Sequence, residues 1–484
     1  MTELHIALRR EAGSSLADQI ATAIGQSIRQ GSLYAGARLP SWRDLSIQLG
    51  VARGTVRAAY ERLIDEQLIV SQGAAGTFVG QCLPMDSPPD LGGQSNPLPE
   101  LYQHPFGERP RVFQVGVPAQ DGFPGKLWSR VAAQAASQAA MATVSYPDPR
   151  GELTLRTEIA AYLSVARGIS SSPAQILITS GYSGALGLLV HGLGLQGKEA
   201  WIEDPGYPLS RMALAMAGVT PVPVPVDAQG LDVDEGIARA ADAALAIVTA
   251  GQQAPLGMTL SLARRHRLLE WAASRGGWII EDDYLSELQL TGRAAPALAS
   301  LDRHGRVIYV GTFSKTISPG LRLGFMVVPP ALASKMGEVA AALAPAASVA
   351  SQWALAEFMR KGHYLRHLRR MKRIYRARAA ALQQALPVSA ETVTMAGLAL
   401  LLHLPQGCDD VAIVRRAQAA GLAPAPLSVW FADPARARSG LLLGITNLPQ
   451  EGLEACCTQL MRQIEQGAGQ EGALSPPSMP DRTV

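Results

Sequence analysis

The residues best suited to chemistry lie between Val307 and Pro329, in the stretch VIYVGTFSKTISPGLRLGFMVVP. Two apolar runs bounded by Gly and Pro read as buried strands. The turn between them carries Lys315, with Thr312 three residues before it and Arg322 seven after. A lysine at a buried strand end is costly unless it has a partner or a task, and a nearby arginine implies an anion in the same pocket. The set suits a lysine that holds pyridoxal phosphate as an imine, with Thr312 and Arg322 on the phosphate. For a lone lysine, two strands joined by a solvated turn is the simpler description, so the rest of the chain must decide.

Three upstream stretches supply candidate partners. ILITSGYSGALGLL reads as strand, Gly turn and helix, and the backbone N–H groups near Tyr182 and Ser183 would open that helix as an anion site. IEDPGYP puts Tyr207 at a strand end, where its ring can stack on a planar group. WIIEDDY puts Asp282 just past a buried strand, with Tyr284 two residues on. A carboxylate there can pair with a protonated pyridine nitrogen, and Tyr284 can donate to the ring's phenolate oxygen. Singly, each is also an ordinary turn or loop cap.

The elements that would position these residues alternate. QILITS, AWIED, VTPVPVPV, AIVTA, WIIED, VIYVGT and LGFMVV read as strands, with amphipathic helices such as SLARRHRLLEWAASRG between them. This predicts an α/β fold with an open, mostly parallel sheet, whose ligands gather at the carboxyl ends of the strands. Anion turn, stacking Tyr, Asp-x-Tyr, then Lys with Arg seven later is the order of fold-type I pyridoxal phosphate enzymes. DPRGELTLR, EDPGYP, EDDY.SE and YVGTFSKTISPGLRLG further resemble the aminotransferase-like domain of MocR/GabR-type regulators. The resemblance implies Lys315 as the imine lysine, Asp282 on the pyridine nitrogen, Tyr284 on the ring oxygen and Tyr207 stacked on the ring. It implies Tyr182, Ser183, Thr312 and Arg322 on the phosphate, with Tyr146 reaching the phosphate of a neighbouring subunit in a homodimer, head-to-tail in GabR-like proteins.

Two departures bear on activity. Ala254 stands before Pro-x-Gly, where aminotransferases usually carry Asn. In GLLLGITNL, Leu442 stands two residues before Gly444, where most aminotransferases carry an Arg that clamps the substrate carboxylate bidentately. A GABA-binding relative also uses an Arg shortly after the stacking Tyr; here Pro208 and Leu209 follow, with Arg211 beyond. The expectation is a sensor of pyridoxal phosphate itself, or of an amine or amino compound. The alternatives are an active aminotransferase with an accessory DNA-binding segment, and a scaffold with an empty fold.

The first eighty residues carry a different chemistry. SLADQIATAIGQSIRQ places Leu16, Ile20, Ile24 and Ile28 on one helical face, and Ser41 with Asp44 caps a second helix. Gly50 turns the chain into a third helix, in which Val56, Tyr60 and Leu63 can face the core while Arg53 and Arg57 share the other side. Helix, short Gly turn, helix is the helix-turn-helix pattern, and LIVSQGAAGTFVG reads as a wing. Arg38, Arg43, Arg53, Arg57 and Arg62 face only Asp44 and Glu61 in this segment, an excess suited to phosphates and guanine edges. GARLPS.R.L, LGV.R.TV..AY..L and GTFV resemble the winged helix-turn-helix domain of GntR-type bacterial regulators. That pattern implies Arg43, Arg53, Thr55 and Arg57 as DNA contacts and Gly76 in the wing. Gln72 and Ala52 depart from it, trimming phosphate contacts.

The expected domains are a DNA-binding domain over 1–80, a Pro-rich linker over 81–111, an aminotransferase-like domain over 112–466 and a disordered tail over 467–484. Net charge is only +3, so the basic excess is local. Cys82, Cys408, Cys456 and Cys457 lack metal-ligand spacing. No apolar run spans a bilayer, and MTELHIALRREAGSS lacks the apolar segment of a secretory signal. A reduced, cytoplasmic protein is expected.

Overall fold

The computed structural model describes residues 6, 8, 14–80, 109–142, 145–290, 292, 295–346, 348–389 and 392–468. Most of the expected linker and all of the tail beyond 468 lie outside the described residues. The chain divides into two compact units, with the break between Gln103 and His104.

The first unit contains α1 (Leu16–Arg29), α2 (Trp42–Leu49), α3 (Arg53–Asp65) and the antiparallel hairpin β1 (Ile69–Ser71) with β2 (Thr77–Val79). Ser15 and Ser41 cap α1 and α2, each hydroxyl accepting from the backbone N–H of the Asp three residues on. Gly50 turns α2 into α3 at φ 63, in the left-handed region. Ile20, Ile24, Ile28, Leu45, Val56, Tyr60 and Leu63 meet in one core. Each such large side chain contributes roughly 1.5–3 kcal/mol by leaving water. Tyr60 also ties α3 to the loop before α2 through its hydroxyl, which donates to Pro40 O at 2.8 Å.

The second unit begins with α4 (Gly125–Met141) and α5 (Leu153–Arg167), followed by β3 (Ile176–Thr179), α6 (Tyr182–Gly192), β4 (Glu199–Asp204) and α7 (Pro208–Met216). Next come β5 (Thr220–Asp227), β6 (Gly230–Leu231), α8 (Val233–Ala240), β7 (Leu245–Val248), α9 (Leu262–Arg275), β8 (Trp278–Asp283), β9 (Val307–Thr312) and β10 (Gly324–Val327). These strands form one sheet in the order β3-β10-β9-β8-β7-β4-β5-β6. Five neighbours run parallel, from β9 through β5, while β10 runs antiparallel between β3 and β9, and β6 closes the far edge as a hairpin. All seven expected strands are present, with β10 reversed.

Side chains alternate across this sheet. Ile202, Ile247, Ile280, Ile308 and Met326 pack under α6 and α10 (Ala333–Leu343). Trp201, Ala246, Val248 and Ile279 face α8 and α9. Then follow α11 (Val349–Arg360), α12 (His363–Ala385), β11 (Val393–Ala396), β12 (Ala399–His403), α13 (Asp410–Ala419), β13 (Ala425–Pro426), β14 (Gly440–Gly444) and α14 (Leu453–Ala468). The last four strands make a second, antiparallel sheet, β11-β12-β14-β13. Sequence reading identified only its β14; β13 is two residues long, too short for alternation to register.

Candidate functional site

The large sheet brings six carboxyl ends, those of β3, β4, β5, β7, β8 and β9, to one edge. The antiparallel β10 starts at that same edge, so Arg322, just before it, joins them. On β8, Asp282 falls on the face of Ile280, which packs under α6, while Glu281 and Asp283 fall on the other. Thr312 shares a face with Ile308 and Val310 on β9.

Lys315 Nζ donates to Gly116 O at 2.7 Å. Burial lowers its pKa, with Arg322 adding to the effect and Asp282 opposing it. The half-buried carboxylate of Asp282 has no hydrogen-bond or ion-pair partner among the described residues. Burial, then Asp283 and Glu203, pushes it up to about 8, with Lys315 opposing. A carboxylate in this state is matched by a cationic ring nitrogen, which would return it to the ionised form. Arg322 adopts φ 49, which directs its Nη2 to Ser180 O at 2.6 Å. A Cβ on Gly181 would lie 3.5 Å from that guanidinium, so Arg322 sits over the N-terminus of α6, where Tyr182 and Ser183 begin the helix. A guanidinium beside free helix N–H groups suits a phosphate. These donors therefore fit pyridoxal phosphate.

Tyr207 packs edge-on to Tyr182, with ring centroids 6.2 Å apart, and the Tyr182 hydroxyl lies 2.8 Å from Ser210 Oγ. Tyr207, Ser210, Glu203, Thr249 and Asp282 line one small cavity. Buried Glu203 accepts from Thr249 N and Oγ1 and is pushed up to about 7 by its burial. Tyr284 shares the field of Asp282. Thr312 Oγ1 accepts from Ser314 N in the lysine turn. Ser183 is exposed, and Tyr146 is fully so, with no hydrogen bond among the described residues.

Several neighbours of this site were missed in the sequence. Gly116 and Ser210 come from segments that only the fold brings together with Lys315 and Tyr182. Gln252, in AGQQAPLG, is buried with an unpartnered Oε1; it and the Tyr284 hydroxyl both lie close to Gly397. His367 Nε2 donates to Thr316 O at 2.7 Å, and Tyr364 OH donates to Thr316 Oγ1 at 3.3 Å. Both therefore hold the residue next to Lys315. Behind β8, Arg167 Nη2 lies 2.8 Å from Asp283 Oδ2 in a buried ion pair that Tyr309 OH joins at 2.7 Å. Leu442 is buried on β14 opposite Leu401, whereas its neighbours Leu441 and Leu443 enter the main core.

In the first unit, Arg43, Arg53 and Arg57 are exposed and Thr55 is half-buried. Arg57 pairs with Glu61 at 2.8 Å. Gly76, at φ 112, turns the wing, and a Cβ there would lie 3.1 Å from Arg38 Nε. Arg38 thereby becomes a further exposed cation at the wing.

A chain that carries both such a winged helix and an aminotransferase-like fold is a DNA-binding regulator built on a pyridoxal phosphate domain. The pattern of bacterial regulatory proteins of the gntR family matches residues 16–79, and that of aminotransferase class I and II matches residues 113–410. The probable rhizopine catabolism regulatory protein MocR of Rhizobium meliloti is 32% identical, over 96% of this chain and 97% of its own. The pyridoxine biosynthesis transcriptional regulator PdxR of Corynebacterium glutamicum is 31% identical, over 80% of this chain and 82% of its own. A crystal structure of LysN, an α-aminoadipate aminotransferase from Thermus thermophilus complexed with N-(5'-phosphopyridoxyl)-L-leucine, superposes with TM-score 0.66. Its identity is 27%, over 74% of this chain and 92% of that one. The chain belongs to the MocR/GabR type of GntR-family transcriptional regulators, with pyridoxal phosphate as its cofactor. Among the described residues, no helix is long and apolar enough to cross a membrane.

Proposed function

We propose that this regulator senses pyridoxal phosphate itself, or an amine or amino compound that exchanges onto it, through Lys315, and that occupancy there changes its hold on operator DNA. The carrying observation is that Lys315, Asp282 and Arg322 gather at one sheet edge, while buried Leu442 stands where aminotransferases place the carboxylate clamp. An apolar side chain cannot bind a carboxylate, so general transamination of α-amino acids is disfavoured.

When bound, the cofactor supplies an aldehyde for an amine to capture and an electron-withdrawing ring. Lys315 offers the amine, and its lowered pKa leaves more of it neutral at a given pH than an ordinary lysine. Asp282 and Tyr284 would hold the ring nitrogen and oxygen, Tyr207 would pack on the ring, and Tyr182, Ser183, Thr312 and Arg322 would hold the phosphate. Tyr146, fully exposed in one chain, suits a contact with a second copy in a homodimer. In this reading residues 1–80 bind DNA through Arg43, Arg53, Thr55, Arg57 and Gly76, residues 81–111 link, residues 112–466 sense, and the protein works in the cytoplasm. The relative named for pyridoxine biosynthesis supports the cofactor itself as effector.

The test is visible absorbance of the purified chain before and after borohydride. Wild type retains a chromophore that reduction fixes to the chain; Lys315→Ala does not. Incubation with amino acids and a keto acid gives no sustained turnover. A chromophore fixed equally in Lys315→Ala contradicts the assignment, and sustained turnover favours the aminotransferase reading.

A further inference from the structure

The most concentrated charge in the chain lies outside the winged helix. Residues 360–378 hold nine Lys or Arg and no Asp or Glu. These nine exceed the net charge of +3 for the whole chain, so the remainder is net acidic.

The cations differ in how they are engaged. Arg360 and Lys361 pair with Glu357, and Arg378 pairs with Asp121. Arg376 donates to Leu290 O, and Arg366 donates to Lys361 O. Arg369, Arg370 and Arg373 are exposed and have no ion-pair or hydrogen-bond partner among the described residues. Arg366, Arg369, Arg370 and Arg373 recur at three- and four-residue intervals, so they share one outer stripe of α12. Like charges at this spacing repel and destabilise the helix. The field is felt nearby: burial, then Arg366, Lys361 and Arg130 of α4, holds His363 below its ordinary value.

We propose that this outer stripe of α12, centred on Arg369, Arg370 and Arg373, is a second nucleic-acid surface that binds the phosphate backbone of duplex DNA. Duplex DNA is the polyanion favoured because the same chain carries a DNA-binding unit, which keeps a bound duplex at high local concentration around the second unit. Unpaired guanidinium groups suit phosphates, and such contacts need no base readout. The inner face of α12 carries His367 and Tyr364, which hold Thr316 beside Lys315. One helix thus joins the cofactor lysine to a phosphate-binding face.

This inference rests on the DNA-binding role of the chain, and the experiment separates the two. The full-length holoprotein is titrated with a mixed-sequence 60-bp duplex at several KCl concentrations. The proteins compared are wild type, Arg369→Gln/Arg370→Gln/Arg373→Gln, the matching triple Arg→Lys variant, and Arg53→Gln/Arg57→Gln. The triple Gln variant should lower the slope of log K against log salt by about 2–3, and weaken binding at least about tenfold at low salt. The triple Lys variant should restore both. Thermal midpoint and cofactor absorbance serve as folding controls. A triple Gln variant that folds normally and keeps the wild-type slope overturns the proposal. So does one that keeps that slope but loses binding to phosphatidylserine-containing vesicles, which would make the stripe a membrane surface. An unchanged slope in Arg53→Gln/Arg57→Gln alone would count against the winged-helix contacts and leave the stripe standing.

Discussion

Asp282 shows how far one residue can be read. Its place after WIIE and before Tyr284 was legible because a strand and its end are local properties. Its unpartnered state and the burial that raises it to about 8 follow from the packing of neighbouring strands, which no local pattern records. Gln252 and Gly116 were invisible for the same reason: their relation to Tyr284 and Lys315 is created by the fold. The raised value has a consequence for stability. The unfolded carboxyl titrates near 3.9, so the folded state binds the proton more tightly. That contribution is fully present below about pH 4 and is lost as pH rises through about 8. The cofactor-free chain should lose thermal stability across that interval, and Asp282→Asn should flatten the loss. Melting curves of both proteins between about pH 5 and 8 check this; parallel pH profiles would remove Asp282 from the account.

Among the elements, α1 and α2 are capped by serines, but α3 begins at Ala52 with no side-chain cap. Of the three helices of the first unit, the one that carries Arg53, Thr55 and Arg57 is thus the one whose first turn is least secured. Ala52→Ser should stabilise it by about 1 kcal/mol. Amide hydrogen exchange at the start of α3 should then slow by roughly fivefold, and unchanged exchange would show that the cap does not form. The strands of the large sheet are apolar runs flanked by Gly or Pro. The reversed β10 escaped, because direction depends on the connection and both directions produce the same apolar run. In the second sheet, the two-residue β13 escaped through its brevity.

At the scale of the molecule, the chain joins DNA recognition to a cofactor fold. The buried pair Arg167–Asp283 anchors the end of β8 behind the site. Burial pulls the Arg167 guanidinium down, and Asp283, with Tyr309, Glu281 and Glu287 beyond it, more than reverses that. The end of β8 is thereby fixed on one face while Asp282 stays free on the other. For the proposed sensing role, a regulator needs only that occupancy bias one state of the chain over another. The most direct measurement is the affinity of cofactor-free protein for its operator duplex as pyridoxal phosphate, and separately a candidate amine with the cofactor, is added. Wild type should shift by about fivefold or more, and Lys315→Ala should show no shift. Equal affinity for DNA in wild type at every occupancy, or the same shift in Lys315→Ala, would contradict the account.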